Sequence, residues 1–130
     1  MPFDPKDFLA IAKGLMGDGK YHNESAYRTC VSRAYYSAFL VCRAFLEKKH
    51  GFRFSRSSDA HRLVVKRLRQ RRVVKSLLGP YGARFTVADA LKGLRENGRN
   101  EADYDTMISI GQGDAQNWIQ QAEYVVNKIP

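Results

Sequence analysis

The sequence predicts an all-α protein, an antiparallel bundle of about five helices that forms a single domain over residues 1–130. Apolar side chains recur every three or four residues along several stretches, as they do on the buried face of a helix. Residues that start and stop helices bound these stretches, and no window alternates apolar and polar residues at strand spacing. A chain of 130 residues has room for one hydrophobic core, and its short predicted loops favour antiparallel neighbours.

Capping residues bound the first two predicted helices. Asp4-Pro5 opens the first helix, as N-cap and first helical residue, and the Gly17–Gly19 stretch ends it. The second helix is the longest, because it is capped by Asn23 or Ser25 and runs to Gly51. Its apolar residues cover more than one face, so we expect it to lie at the centre of the bundle.

The third predicted helix follows a loop over residues 52–58. It begins at Ser58 or Asp59, and its pattern leaves open whether it continues or breaks before Val73-Val74. The sequence Gly79-Pro80-Tyr81-Gly82 predicts a turn after it.

Two more helices complete the predicted bundle. Thr86 and Asp89 have the spacing of a capping box, with aspartate in place of glutamate. Gly98 makes the end of this helix ambiguous. The last helix begins near Asp114 and carries an apolar stripe as far as Ile129.

Positive charge is concentrated in one part of the chain. The segment Arg53–Lys75 holds nine basic residues and one acid, Asp59, so it carries +8 of the net +9. Such a local field favours a polyanion, namely nucleic acid, an anionic membrane or an acidic protein, although a solvated helix face would also be basic. If the polyanion is RNA, the candidate contacts are Arg62, Lys66, Arg67, Arg69, Arg71 and Arg72.

Other features narrow the class of protein. Cys30 and Cys42 lie about 18 Å apart along one predicted helix, beyond disulfide reach, and are expected to be reduced core residues of a cytoplasmic protein. The three histidines lack metal-ligand spacing, and no nucleotide-binding motif occurs, so no metal and no cofactor are predicted. The Gly111–Gly113 stretch could hold a phosphate, but a plain loop accounts for it better. No signal peptide or apolar run of membrane-spanning length is present, so no membrane association is predicted.

Three elements occur in an order that points to a family. The long helix contains Ser32-Arg33-Ala34-Tyr35-Tyr36-Ser37-Ala38-Phe39, His61 opens the third helix, and Arg99-Asn100-Glu101-Ala102-Asp103-Tyr104 follows later. Together they resemble the HEPN superfamily, in the branch with an A-Y-Y-x-x-F helix and an R-N-x-A-D-Y element, over about Asp4 to Ile129. The resemblance implies a helical bundle, typically dimeric. Many members are metal-independent ribonucleases, and others are RNA-binding proteins or partners of a small nucleotidyltransferase in toxin–antitoxin and defence systems.

The family's ribonuclease signature is an arginine, usually followed by a polar residue, with a histidine four to six residues after the arginine. Arg99-Asn100 matches its first half, but Tyr104 stands where a histidine is expected. Arginine stabilises phosphate charge well, whereas a tyrosine, which ordinarily titrates near pH ~10, is a poor base. We therefore expect RNA cleavage to be absent or weak, and the protein to be at most a metal-independent endoribonuclease.

The candidate catalytic residues implied by the resemblance are Arg99, Asn100, Asp103 and Tyr104, and Tyr36 and His61 are candidates beside them. In an unbroken helix residues five apart do not share a face, so Arg99 and Tyr104 meet only if the helix ends or bends, or if a partner subunit completes the site. A purely structural alternative is an Arg99–Asp103 ion pair, with Tyr104 against the long helix. Likewise, core packing accounts better for the adjacent tyrosines of the long helix, and His61 fits a partnered residue on an apolar face.

Three functions remain open from the sequence. The first is an RNA-directed, toxin-like or defence-associated protein whose basic third helix grips the RNA backbone. The second is a non-catalytic homodimeric module whose partner, a minimal nucleotidyltransferase, performs the chemistry. The third is a nucleotide-binding sensor that uses Arg99 and the basic residues near His61.

Overall fold

The computed structural model describes residues 3–57, 59–78 and 86–130, and within them it is helical with no strand. The all-α prediction is confirmed. The helices are α1 (Lys6–Gly17), α2 (Glu24–His50), α3 (Asp59–Leu68), α4 (Arg71–Leu78), α5 (Val87–Gly93), α6 (Asn100–Tyr104) and α7 (Gln112–Lys128). A π-helical segment, Leu94–Arg99, joins α5 to α6, and a short 3-10 turn, Gly19–Tyr21, precedes α2.

Helix α2 lies at the centre, as the breadth of its apolar surface predicts. It packs chiefly against α1 and α7, and it also contacts α3, α6 and the π-helical segment. Asn23 is its N-cap, because the Asn23 side chain accepts a hydrogen bond of 2.8 Å from the Ala26 N–H. Gly51 ends it in the left-handed region at φ 73°, which glycine adopts without steric cost.

Some boundaries differ slightly from the prediction. Helix α1 begins at Lys6, one residue after Pro5, although the Asp4 carboxylate still accepts the Lys6 N–H at 3.0 Å. The basic stretch breaks after Leu68, so α3 and α4 are separate helices. Helix α7 begins two residues before Asp114, whose carboxylate accepts the Gly111 N–H at 2.9 Å. The predicted turn at residues 79–82 lies outside the described residues.

The sequence left open whether the helix that follows Thr86 ends at Gly98, and the structure shows that it does not. The capping box forms as predicted: the Thr86 hydroxyl accepts the Asp89 N–H at 3.2 Å, and the Asp89 carboxylate accepts the Thr86 N–H at 3.3 Å. The helix then continues through Gly98, which is buried against Trp118. Because glycine has no side chain, the indole of Trp118 can pack directly on the backbone there.

Both cysteines are buried and free, as predicted. In the part of the chain that the structure describes, no helix is long and apolar enough to cross a membrane.

Candidate nucleic-acid interface

Arg99 lies between two tyrosine rings. Its Nη2 donates hydrogen bonds to the hydroxyls of Tyr36 at 2.9 Å and Tyr104 at 3.0 Å. Its guanidinium carbon is 5.4 and 4.9 Å from the two ring centroids, within the range of cation–π attraction. Arg99 and Tyr104 therefore meet within one chain. The backbone stays helical from Arg99, at the end of the π-helical segment, to Tyr104, at the end of α6. The two long side chains therefore meet without an end or bend of the helix between them.

The remaining edges of Arg99 are also engaged. Nη1 donates to the Asn100 side chain at 3.2 Å, and Nε lies 3.0 Å from an Asp103 carboxylate oxygen, although not in hydrogen-bond geometry. Asp103 in turn accepts a hydrogen bond of 3.1 Å from the Ser32 hydroxyl. The predicted Arg99–Asp103 pair exists, and its partners orient an arginine whose side chain is 15% exposed.

The structural alternative for Tyr104 is wrong, because its side chain is not buried against α2. Tyr104 is 68% exposed, and its hydroxyl contacts Arg99 instead. Of the two adjacent tyrosines of α2, one packs in the core and the other places its hydroxyl at the cluster. Tyr35 is a core residue at 1% exposure, whereas Tyr36 is half-buried and reaches Arg99.

His61 lies next to this cluster in a mostly aromatic environment. Its ring stacks on Phe39 with centroids 4.1 Å apart, and its Nδ1 is hydrogen-bonded to the Tyr35 hydroxyl. Burial, followed by the charges of Arg95 and Arg99, lowers the pKa of His61 to about 4. Burial likewise raises the pKa of Tyr35. At neutral pH the imidazole is therefore uncharged, and the pair forms a neutral wall beside the arginines.

A basic groove of about 250 Å³ lies between α3 and the helix that contains α5 and the π-helical segment. It is lined by Arg62, Val65, Lys66, Arg69, Lys92, Arg95 and Glu96. Three of the predicted RNA-binding residues are among them. Arg95 lines this groove and also lies near Tyr35 and His61, because its charge lowers the pKa of both groups.

The other three predicted RNA-binding residues do not line the groove. Arg67 and Arg72 lie over the ring of Phe52, with their guanidinium carbons 5.0 and 4.9 Å from its centroid. Arg72 also donates a hydrogen bond of 3.3 Å to the His50 carbonyl. Arg71 is exposed on α4. The basic segment therefore presents two surfaces: one along the groove, and one around Phe52 to which both α3, through Arg67, and α4, through Arg72, contribute.

Sequence reasoning missed two arginines that the fold brings to this region. Arg95 precedes Arg99 by one helical turn, a spacing that could have indicated a shared surface. Arg28 fixes the end of α6 from α2. Its Nη1 donates to the carbonyls of Glu101 and Ala102, each at 2.9 Å, and its Nη2 donates to the Ile108 carbonyl. No local pattern in the sequence indicates the contacts of Arg28, because its acceptors lie more than 70 residues away.

Within the described ranges, no three His, Cys, Asp or Glu side chains gather in a way that could hold a metal ion. Arginine hydrogen bonds and cationic lysines are suited to recognising phosphate groups.

Comparison with protein-family models gives a match to the HEPN domain over residues 6–129. A search of curated proteins and a search of solved structures gave no match.

Proposed function

The chain belongs to the HEPN domain family, and from that premise we propose that it is an RNA-binding, toxin- or defence-associated protein whose metal-independent ribonuclease activity is absent or weak. The observation that carries this proposal is the basic groove beside the Arg99 cluster. Five cationic side chains line it against one carboxylate, Glu96. A concave surface with this excess of positive charge attracts the phosphate backbone of a nucleic acid.

The chemistry of the cluster supports binding over cleavage. Cleavage without a metal needs a base for the 2′-hydroxyl, an acid for the leaving oxygen and a group that stabilises the charge on the phosphate. Arg99 and Asn100 suit the last role. His61 is a poor candidate for either proton transfer, because its Nδ1 is held by Tyr35, its ring is stacked on Phe39 and its pKa is lowered to about 4. Asp103 and Tyr104 are both engaged with Arg99.

The test measures binding and cleavage of a labelled single-stranded RNA in EDTA. We expect binding that weakens steeply with salt and little or no cleavage, while Tyr104→His raises the cleavage rate by restoring a histidine at the signature position. Arg99→Ala should remove whatever cleavage exists. Lys48→Ala serves as the charge control, because Lys48 is exposed near the end of α2 and borders Ile129 and Asp4, away from the basic groove. Brisk cleavage that Arg99→Ala leaves unchanged would contradict the site, and RNA affinity that ignores salt would contradict the function.

The second candidate is a non-catalytic module that forms a homodimer and binds a nucleotidyltransferase. Exposed apolar side chains beside the cluster favour it: Tyr104 is 68%, Met107 93% and Ile108 37% exposed. It predicts no cleavage by any variant and a stable complex with a nucleotidyltransferase encoded next to this protein. Sedimentation as a monomer of 14.8 kDa would contradict the homodimer.

A further inference from the structure

The residue that the resemblance places at the phosphate is Arg99, but the contacts of a neighbouring arginine are different. We infer that Arg95 makes the principal contact with a phosphate of bound RNA, and that Arg99 contributes less to the affinity for RNA. This inference rests on the proposed function, because it names the part of the surface that holds the RNA backbone.

Arg99 has little hydrogen-bonding capacity left for a ligand. A guanidinium has five N–H groups. Two of them on Nη2 go to Tyr36 and Tyr104, one on Nη1 goes to Asn100, and Nε faces Asp103. The carboxylate of Asp103 also neutralises its charge. A phosphate would have to displace Tyr104 before it could form a forked contact with Arg99.

Arg95 lacks the side-chain partners that Arg99 has, although the Nε of both arginines is buried without a hydrogen-bond acceptor. Among the described residues it makes no hydrogen bond and no ion pair, and its Nε is buried without an acceptor. A buried donor that lacks a partner costs free energy, and native structures keep few such groups. The terminal N–H groups of Arg95 have no partner among the described residues either, and a phosphate oxygen in the groove would accept from them.

The other cations of the groove support Arg95. Lys66 and Lys92 form no ion pair in the described part of the chain, whereas Arg69 is paired with Asp89 at 2.9 Å. Arg62 is only 3.9 Å from Asp59 in an exposed pair, which contributes little. Lys66, Lys92 and Arg95 are therefore the charges most available to an anion.

The size and position of the groove indicate which part of an RNA it takes. About 250 Å³ is slightly less than the ~300–1,000 Å³ of typical small-molecule sites, so the groove suits a short piece of backbone. Val65 adds an apolar wall, and Glu96 is an acceptor for a ribose hydroxyl. Arg95 stands where the groove meets the cluster around His61, so a strand bound along α3 would pass from Lys66 to Arg95.

The experiment compares Arg95→Gln, Arg95→Lys, Arg99→Gln and Lys48→Gln by fluorescence anisotropy with a labelled single-stranded RNA over a series of KCl concentrations. Arg95→Gln should raise Kd by about tenfold and lower the slope of log Kd against log salt by about 0.7, the contribution of one single-strand phosphate contact. Arg95→Lys should keep the slope but not the full affinity, because lysine lacks the fork. Arg99→Gln should cost less affinity than Arg95→Gln, and Lys48→Gln should change neither quantity.

Thermal unfolding separates binding from a structural role. Arg95→Gln removes an unpartnered donor, so its melting temperature should equal or exceed that of the wild type. A lower melting temperature with an unchanged salt slope would make Arg95 structural and overturn the inference. Wild-type binding to RNA with no effect of Arg95→Gln overturns the inference alone, whereas no binding to RNA by the wild type refutes the proposed function as well. Adenosine monophosphate binding as tightly as RNA would assign the groove to free nucleotides instead.

Discussion

Substituting alanine for Gly98 adds one methyl group and tests how Trp118 packs against the helix next to Arg99. Gly98 is buried in the π-helical segment, next to Arg99, and faces the only tryptophan of the chain. A Cβ added there would lie 3.1 Å from Trp118 Cδ2 and 3.4 Å from both Cε2 and Cε3. Gly93 is a matched control, because it is also helical and a Cβ added there meets nothing within 4 Å.

Both substitutions add one methyl group to a helical glycine, and of the two only Gly98→Ala brings that group against Trp118. Glycine to alanine within a helix stabilises by about 0.5–1 kcal/mol, because it reduces the freedom of the unfolded chain. Overpacking costs about 1–3 kcal/mol, and the half-buried indole of Trp118 can yield a few tenths of an ångström, which favours the lower part of that range. We expect Gly98→Ala to be about 1–2 kcal/mol less stable than Gly93→Ala, which corresponds to roughly 3–8 °C in melting temperature for a chain of this length.

Urea denaturation measures the difference, followed both by circular dichroism and by Trp118 fluorescence excited at wavelengths that select tryptophan. The native emission of Gly98→Ala should also shift, because the indole must move, whereas that of Gly93→Ala should not. Equal stability of the two variants, with unchanged emission, would refute the argument that the indole packs on the Gly98 backbone.

Three further predictions concern the surroundings of the site. The pKa of His61 is lowered from the ordinary 6.5 to about 4. The free energy of unfolding that the neutral ring contributes should therefore be fully present above pH 6.5 and be lost as the pH falls towards 4. The loss would be about 3 kcal/mol for a fully buried ring and is expected nearer 1–2 kcal/mol because the ring is partly exposed. Urea titrations between pH 7 and pH 4 measure it, and His61→Gln should flatten the profile. Arg28→Ala should lower the free energy of unfolding by about 2–3 kcal/mol and speed amide hydrogen exchange over residues 101–110, because it removes hydrogen bonds to three carbonyls. Arg62→Ala, at an exposed position, should have neither effect. Thr86→Ala should cost about 1 kcal/mol in urea denaturation by removing the cap of α5, and an unchanged midpoint would contradict that role.

Much of the fold could be predicted because the interactions that bound the helices are local. Asn23 caps α2 by accepting from the Ala26 N–H, and Thr86 caps α5 by accepting from the Asp89 N–H, in each case three residues away. Gly51 ends α2 through its own backbone freedom. The Arg99–Asp103 pair spans one turn of the same helix. Partners this close along the chain can be recognised from residue type and spacing alone, so the helix caps, the helix ends and this ion pair can be predicted from the sequence.

Contacts between distant segments could not be predicted. Trp118, twenty residues later in the chain, packs on Gly98. The groove exists because α3 lies beside Arg95, and the end of α6 is held by Arg28. None of these partners can be inferred from the residues near them, because each depends on how the helices pack.

The sequence by itself determined that this protein is a helical bundle with a basic segment and local motifs that resemble those of the HEPN superfamily. The tertiary structure decided which of the basic residues share a surface, that burial lowers the pKa of His61, and that Arg99 has side-chain partners whereas Arg95 has none among the described residues. The physical reason is that charge and helix signals belong to residue types and their spacing, whereas burial, pKa and unmet hydrogen bonds arise only when distant residues exclude water together.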